Sequence, residues 1–485
     1  VIEDGTGPAP AGGTLEPSGG SLERGSFRDR DSRVFYSGGR VLRGLSEAGR
    51  EAWETLEATS FFSRMISAGK IVSSDRLQPE AVHEGEGDPE LAGWSAFLEH
   101  ARIPFVSYPY EWPFGMLRDA ALLELELMSA ALAEDMVLKD ATPYNVQWFG
   151  ARPTFIDIPS FVPLPPGEPW AGYRQFCELF LYPLMLQAYK GVPYHAWLRG
   201  SIDGIPPDHC LGMMSLRDLF RPGVMVHVKL QAMLQGSFSS TKRDVRGDLR
   251  KAGFQKELIV ANVRKLTKLV KRLRWKQAQS EWSDYAENTS YDDAEHRQKV
   301  DFVRGAVTDR ARQLVWDFGC NTGEYSRIAA ETTPHVVAID GDHLAVERLY
   351  QGLAAEGNER ILPLVMPLND ASPNLGWRGT ERGDLRQRGA PDLVLCLALI
   401  HHMVIGANIP LAEFVDHLGD LGADVVVEFV SKADPMVETL LRNKEDKYDD
   451  YDQEHLERCL ARLFEVVRSE AVGGGRRTLY YARRR

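Results

Sequence analysis

Cysteine is scarce in this chain of 485 residues: five, scattered at positions 177, 210, 320, 396 and 459. None sits in a CxxC pair, and no Cys/His set has zinc spacing, so a disulfide scaffold and a structural zinc site are excluded on pattern. Long apolar runs are missing too. No stretch approaches the roughly 20 residues that a helix needs to cross a bilayer. Positive charge is in deficit, with 57 Lys and Arg against 69 Asp and Glu and a net charge of −12. A general attraction for nucleic acid or an anionic membrane is therefore not expected. The opening "VIEDGTGPAPAGGTLEPSGG" lacks the basic and apolar parts of a signal peptide and predicts a Gly/Pro-rich disordered tail over 1–32. These deficits point to a cytoplasmic protein with a small-molecule partner, no membrane contact and no nucleic acid. They leave the oligomeric state open.

What is present is globular. Apolar residues make up 44% of the chain, ample for a core, and the length suggests about three units. "SRVFYSGGRVLRGL" alternates about Gly-Gly and predicts a β-hairpin. A helical pattern follows through "EAGREAWETLEATSFFSRMI", and "MLRDAALLELELMSAALAEDM" predicts an amphipathic helix. Two short strands, "VQWF" and "PTFID", flank a Gly turn. From Lys242 to Lys276 there are thirteen Lys and Arg against Asp244, Asp248 and Glu257, which predicts a basic helical connector. Beyond it the pattern becomes α/β, with strands at "QLVWDF", "HVVAID", "ILPLV", "DLVLCLALI" and "ADVVVEFV" and a closing hairpin around Gly-Gly-Gly. The boundaries read as an N-terminal α+β domain over 33–235, the connector over 236–281 and a C-terminal domain over 282–485. The fold expected for the last is a doubly wound, mostly parallel sheet of seven strands with one antiparallel.

The chemistry concentrates at "LVWDFGCNTGEYS". An acid ends a buried strand, and a loop with Gly319 and Gly323 follows. A P-loop needs Lys-Ser/Thr after the last Gly, but Glu324-Tyr325 stand there. A dinucleotide fingerprint needs G-x-G-x-x-G. The remaining candidate is S-adenosylmethionine, whose cationic groups suit Asp317 and whose amino-acid part the glycines let the backbone approach. Asn321 stands where a Gly is more usual. The next strand ends in Asp340, a carboxylate for the ribose hydroxyls. After the third comes Asp370, a candidate acceptor for the adenine amino group. His401 and His402 follow the fourth strand, and either is a candidate general base. Glu428, ending the fifth, is a second candidate. Tyr285, ahead of the first strand, is placed to close over the cofactor. The connection between strands three and four carries Trp377, Glu381, Arg382, Arg386 and Arg388, an Arg cluster suited to a carboxylate or phosphate.

These motifs, with "WSDYAENTSY", "LNDASPNLGWRGTER", "SYPYEW" and "PTFIDIPSF", resemble bacterial class I methyltransferases of the nodulation-protein-like group over nearly the whole chain after the tail. The resemblance implies the methyltransferase fold and its cofactor, and hardly constrains the acceptor. The reading is methyl transfer to an oxygen of a small molecule or biosynthetic intermediate. The alternatives are an RNA or protein methyltransferase docking through the basic connector, and a bifunctional kinase–methyltransferase.

In the N-terminal part, "LKDATPYNV" places Asp140 and Asn145 five apart, and "TFIDIPSF" supplies Asp157. This resembles the catalytic loop and metal-binding Asp of kinase-like folds, with Asp140 as base and Asn145 and Asp157 on magnesium. His and Arg do not precede Asp140, and no phosphate-orienting lysine or covering Gly loop is evident. The expectation is a vestigial site without phosphoryl transfer.

Overall fold

Gly38 and Gly39, both at positive φ (+55° and +76°), turn the chain between the first long strands as the Gly-Gly pair predicts. The computed structural model describes residues 21–77, 93–238, 255–277, 293–442 and 444–485. The N-terminal half opens with β1 (Ser21–Leu22), β2 (Ser32–Ser37), β3 (Arg40–Leu45), β4 (Ser74–Leu77) and β5 (Ala96–His100), joined in the antiparallel order β1-β2-β3-β5-β4. Within the 1–32 stretch expected as a tail, Ser21 and Leu22 pair with Tyr36 and Phe35 on the edge of β2, and residues 1–20 lie outside the described residues.

The helical stretch after β3 is two helices, α1 (Glu47–Glu57) and α2 (Ser60–Ser67). The Thr59 hydroxyl donates to Leu56 O at 2.6 Å, and the Glu134 carboxylate accepts from Ser60 N at 2.8 Å, so α2 starts on a new cap. The long helix α3 (Phe114–Ala133) differs from its expected amphipathic form, being buried on most of its surface. Helix Lys256–Val270 covers one side of it, and strand Arg152–Phe155 and helix His343–Glu356 cover others. This half is completed by a β6 (Met136–Leu138) to β9 (Phe161–Pro163) ladder and the β7 (Val146–Phe149) to β8 (Arg152–Phe155) hairpin. In the basic stretch, helix Lys256–Val270 buries Ile259, Val263, Leu266, Leu269 and Val270, so it is packed rather than a free spacer.

The C-terminal half is one sheet of seven strands: β10 (Leu314–Phe318), β11 (His335–Asp340), β12 (Ile361–Val365), β13 (Leu393–Cys396), β14 (Asp424–Val430), β15 (Phe464–Val472) and β16 (Arg477–Arg484). Their order is β12-β11-β10-β13-β14-β16-β15, and only β16 runs against its neighbours. Continuous apolar runs in β10 to β14 reflect burial on both faces. The two halves share one apolar core. Phe105 meets Trp316 edge-on at 5.9 Å, and Trp148 meets Tyr350 at 5.8 Å. Glu347 accepts from Gly115 N at 2.7 Å, and Arg388 pairs bidentately with buried Glu111 at 2.7 and 2.8 Å. Among the described residues no helix is long and apolar enough to cross a membrane.

Candidate functional site

The loop after β10 takes three left-handed positions in five residues: Gly319 (φ +72°), Asn321 (φ +48°) and Gly323 (φ +83°). Asn tolerates this region better than most side chains, which explains how it stands where Gly is more usual. A Cβ on Gly323 would lie 2.5 Å from Leu349, so the loop-to-helix turn admits only glycine. Gly319 N–H and Cys320 N–H both donate to Ile339 O, at 2.9 and 3.1 Å, which ties the loop to the end of β11.

Asp317 is buried and accepts from Ser326 Oγ at 2.5 Å. Burial pushes its carboxyl up to about 6, although the Ser326 bond and the Lys299 charge pull the other way. Asp340 accepts from Asn321 N and from Asp342 N, each at 2.8 Å. Burial raises its pKa and the backbone N–H bonds oppose the rise. One N–H on each oxygen leaves acceptor capacity on both. Asp342 caps helix His343–Glu356 through Leu344 N and Ala345 N.

Asp370 lies at the rim and is largely exposed, its carboxylate bidentate to Arg199 Nη1 and Nη2 at 2.9 and 3.0 Å. Arg199 belongs to helix His195–Gly200 of the N-terminal half. His195 on the same helix meets His343 edge-on at 4.3 Å, three residues beyond Asp340. The N-terminal half therefore walls this edge of the site. Nothing local in the sequence signals that contact.

At the end of β13 the strand is shorter than its apolar run suggests, because Ala398 turns to φ +50°. Its N–H donates to Glu428 Oε2 at 2.8 Å. Lys299 Nζ donates to the same oxygen at 2.7 Å, and Arg477 Nη1 reaches Oε1 at 3.3 Å. Glu428 is buried, so its charge is held between two buried cations. His401 is fully buried, and neither ring nitrogen has a partner among the described residues. His402 is half-buried, with its ring 4.1 Å from that of His401. Burial lowers both: His401 falls well below the usual imidazole range and His402 to about 4. Tyr285 lies outside the described residues.

In the N-terminal half, Asp157 and Asn145 do meet, Asn145 Nδ2 lying 3.4 Å from Asp157 Oδ2. Beside them stands Arg43 from β3, which the sequence did not single out. Its Nη1 lies 3.4 Å from Asp157 Oδ1 and 3.0 Å from Ser32 Oγ, and its Nε is 3.2 Å from His100 Nε2. Burial raises the carboxyls of Asp140 and Asp157. Among the described residues no group of three or more His, Cys, Asp or Glu side chains is placed to hold a metal ion.

A sheet of order 3-2-1-4-5-7-6 with the seventh strand reversed, and a glycine loop facing an acid across its first two strands, is the class I methyltransferase fold, whose cofactor is S-adenosylmethionine. No family model matches the chain. It is 33% identical over 458 residues, 94% of each chain, to nodulation protein NoeA of Rhizobium meliloti (strain 1021), and it belongs to the family of that protein. Solved structures similar to it include the N-methyltransferase NodS from Bradyrhizobium japonicum WM9 in complex with S-adenosyl-L-homocysteine, at 13% identity over 40% of this chain and 88% of that one, TM-score 0.30. Another is the bifunctional kinase-methyltransferase WbdD, at 17% identity over 42% of each chain, TM-score 0.30. With identities and scores this low, the fold assignment rests on the chain's own sheet order.

Proposed function

We propose that the chain transfers a methyl group from S-adenosylmethionine to an oxygen of a small molecule or biosynthetic intermediate. The observation that carries this reading is Asp340, a half-buried carboxylate with acceptor capacity on both oxygens, clamped to the glycine loop through Asn321 N–H. Asp340 would hold the ribose hydroxyls, and the Gly319–Gly323 loop would hold the amino-acid part. When bound, the cofactor supplies an activated methyl group on a sulfonium. The chain must then position the acceptor and take its proton. His402, half-buried in the segment after β13 and neutral at pH 7, is the group we assign to that role, its ring 4.1 Å from that of buried His401.

The test is calorimetry with S-adenosylhomocysteine. Asp340→Ala removes two bonds to a charged acceptor, each contributing roughly 1.5–3 kcal/mol, and also frees Asn321 N–H, so affinity should fall at least about tenfold. Equal affinity in wild type and variant would remove Asp340 from the site. A second reading, docking of RNA or an acidic protein substrate, is supported by the exposed cations along Arg264–Lys276. A steep loss of RNA binding with salt would favour it.

We read the N-terminal half as kinase-like in arrangement and without phosphoryl transfer. Its antiparallel sheet, the Asn145–Asp157 contact and the helix α1 between β3 and β4 support the likeness. Arg43, hydrogen-bonded beside Asp157, supports the loss, since a fixed guanidinium supplies there the charge a magnesium ion would bring. A thermal-shift titration with ATP and magnesium should show no saturable rise, and labelled phosphate should not be transferred. Micromolar stabilisation abolished by Asp157→Ala would show a live nucleotide site.

A further inference from the structure

In the connection between β12 and β13, Arg388, Arg386 and one oxygen of Glu381 are paired, whereas two donors of Arg382 are not. Arg388 is paired with Glu111, Arg386 reaches Asp420 at 3.6 Å, and Glu381 is held by Arg28 at 2.7 Å. Arg382 is different. It is only 7% exposed, and its Nε and Nη1 have no hydrogen-bond partner among the described residues. Its guanidinium lies over the ring of Tyr144, 5.4 Å from the centroid. Gly383, the next residue, donates its N–H to Tyr108 OH at 2.8 Å, and Tyr108 stacks on Tyr110 at 5.4 Å. The Tyr110 hydroxyl is buried and likewise without a partner among the described residues. A buried guanidinium with unmade bonds is a costly arrangement for a protein to keep unless something fills it. Its planar fork of donors matches an oxyanion bidentately.

We propose that Arg382 is the anchor of an oxyanion-binding subsite, walled by Tyr108, Tyr110 and Tyr144, that takes a carboxylate or phosphate of the methyl acceptor. The walls come from the N-terminal half and the anchor from the C-terminal half, so the subsite exists only at their seam. It connects to the rim of the cofactor site. Tyr144 OH donates to Leu198 O at 3.5 Å, and the adjacent Arg199 grips Asp370. Only the statement that the ligand is the methyl acceptor rests on the methyltransferase reading. The anion site itself does not.

The test uses the full chain in a thermal-shift titration with inorganic phosphate and, separately, with acetate, at constant ionic strength. A saturable rise in Tm with either anion is expected, and the stronger of the two arms tells a phosphate ester from a carboxylate. Arg382→Gln should abolish the rise, Arg382→Lys should weaken binding about tenfold because the fork is lost, and Arg386→Gln should leave it intact. Without anion, Arg382→Met should be at least as stable as wild type, because it removes an unpaired buried charge. No anion effect in wild type, an effect that persists in Arg382→Gln, or a marked loss of stability in Arg382→Met would each overturn the proposal. Affinity for S-adenosylhomocysteine should be unchanged in Arg382→Gln; failure of the wild type to bind it would instead overturn the cofactor reading alone.

Discussion

Glu428→Ala should lower the stability of the chain by about 3–5 kcal/mol, the cost of leaving buried charge without its partner. Lys299 and Arg477 both donate to Glu428, and all three side chains are buried. Arg477 keeps Asp434 as a second partner at 2.7 Å, and Lys299 keeps the face of the Tyr325 ring at 4.9 Å. Ala398 N–H, which holds the turn at positive φ, loses its acceptor as well. Glu428→Gln retains an acceptor oxygen for that N–H and should fall between wild type and alanine. Urea unfolding curves of the three proteins test the order. A change within about 0.5 kcal/mol for Glu428→Ala, the range of an ordinary surface substitution, would mean that the cations find other partners.

The second large effect concerns turnover. Once an acceptor is in hand, His402→Ala should lower kcat by about 10²–10⁴-fold while affinity for S-adenosylhomocysteine stays near wild type. An exposed imidazole would lose its proton-accepting form below pH 6 to 7, which is the window the sequence suggests. Burial moves that limit down to about 4 for His402, so activity should hold as pH drops from 7 to 5. Stability behaves oppositely. The unfolded imidazole titrates near its ordinary value of 6.5 and the folded one lower, so the unfolded chain gains protons first and stability falls as pH drops below about 6.5. Full activity in both His401→Ala and His402→Ala would reduce the pair to packing, whereas an acid limb near pH 6.5 in kcat would mean that the base titrates as an exposed imidazole does.

What the sequence disclosed follows the range of its physics. The strands of the C-terminal half carry their own marks: short, mostly apolar runs rich in Val, Ile and Leu, an acid at the end of β11, and the Gly-Gly-Gly turn that reverses β16. The Asp317 to Asp340 spacing is likewise local, one strand–helix–strand unit long. Side chains whose meaning depends on distant partners were not legible. Glu428 reads as a candidate base from its place at a strand end, and nothing near it in sequence shows that Lys299, 129 residues away, donates to it. Asp370 reads as a candidate adenine acceptor from its place after the third strand, and nothing near it in sequence shows that Arg199, 171 residues away, pairs with it. Ala398 gives no hint of a left-handed turn, since alanine has no preference for one. The Arg cluster was visible as composition. That Arg382 keeps two buried donors without a hydrogen-bond partner among the described residues is a fact of tertiary packing.

The core shared between the halves also sets the order in which the chain becomes safe during synthesis. Trp148 and Phe105 emerge early, yet the rings they pack against, Tyr350 and Trp316, lie some two hundred residues downstream. At about 5–20 residues per second, the nascent N-terminal half waits on the order of 10–40 seconds with an unmatched aromatic face. Production of this chain is therefore sensitive to translation speed and to chaperones that shield apolar surface. A fragment beginning at the connector would meet the mirror problem, with Trp316 lacking the Phe105 ring and Tyr350 lacking the Trp148 ring.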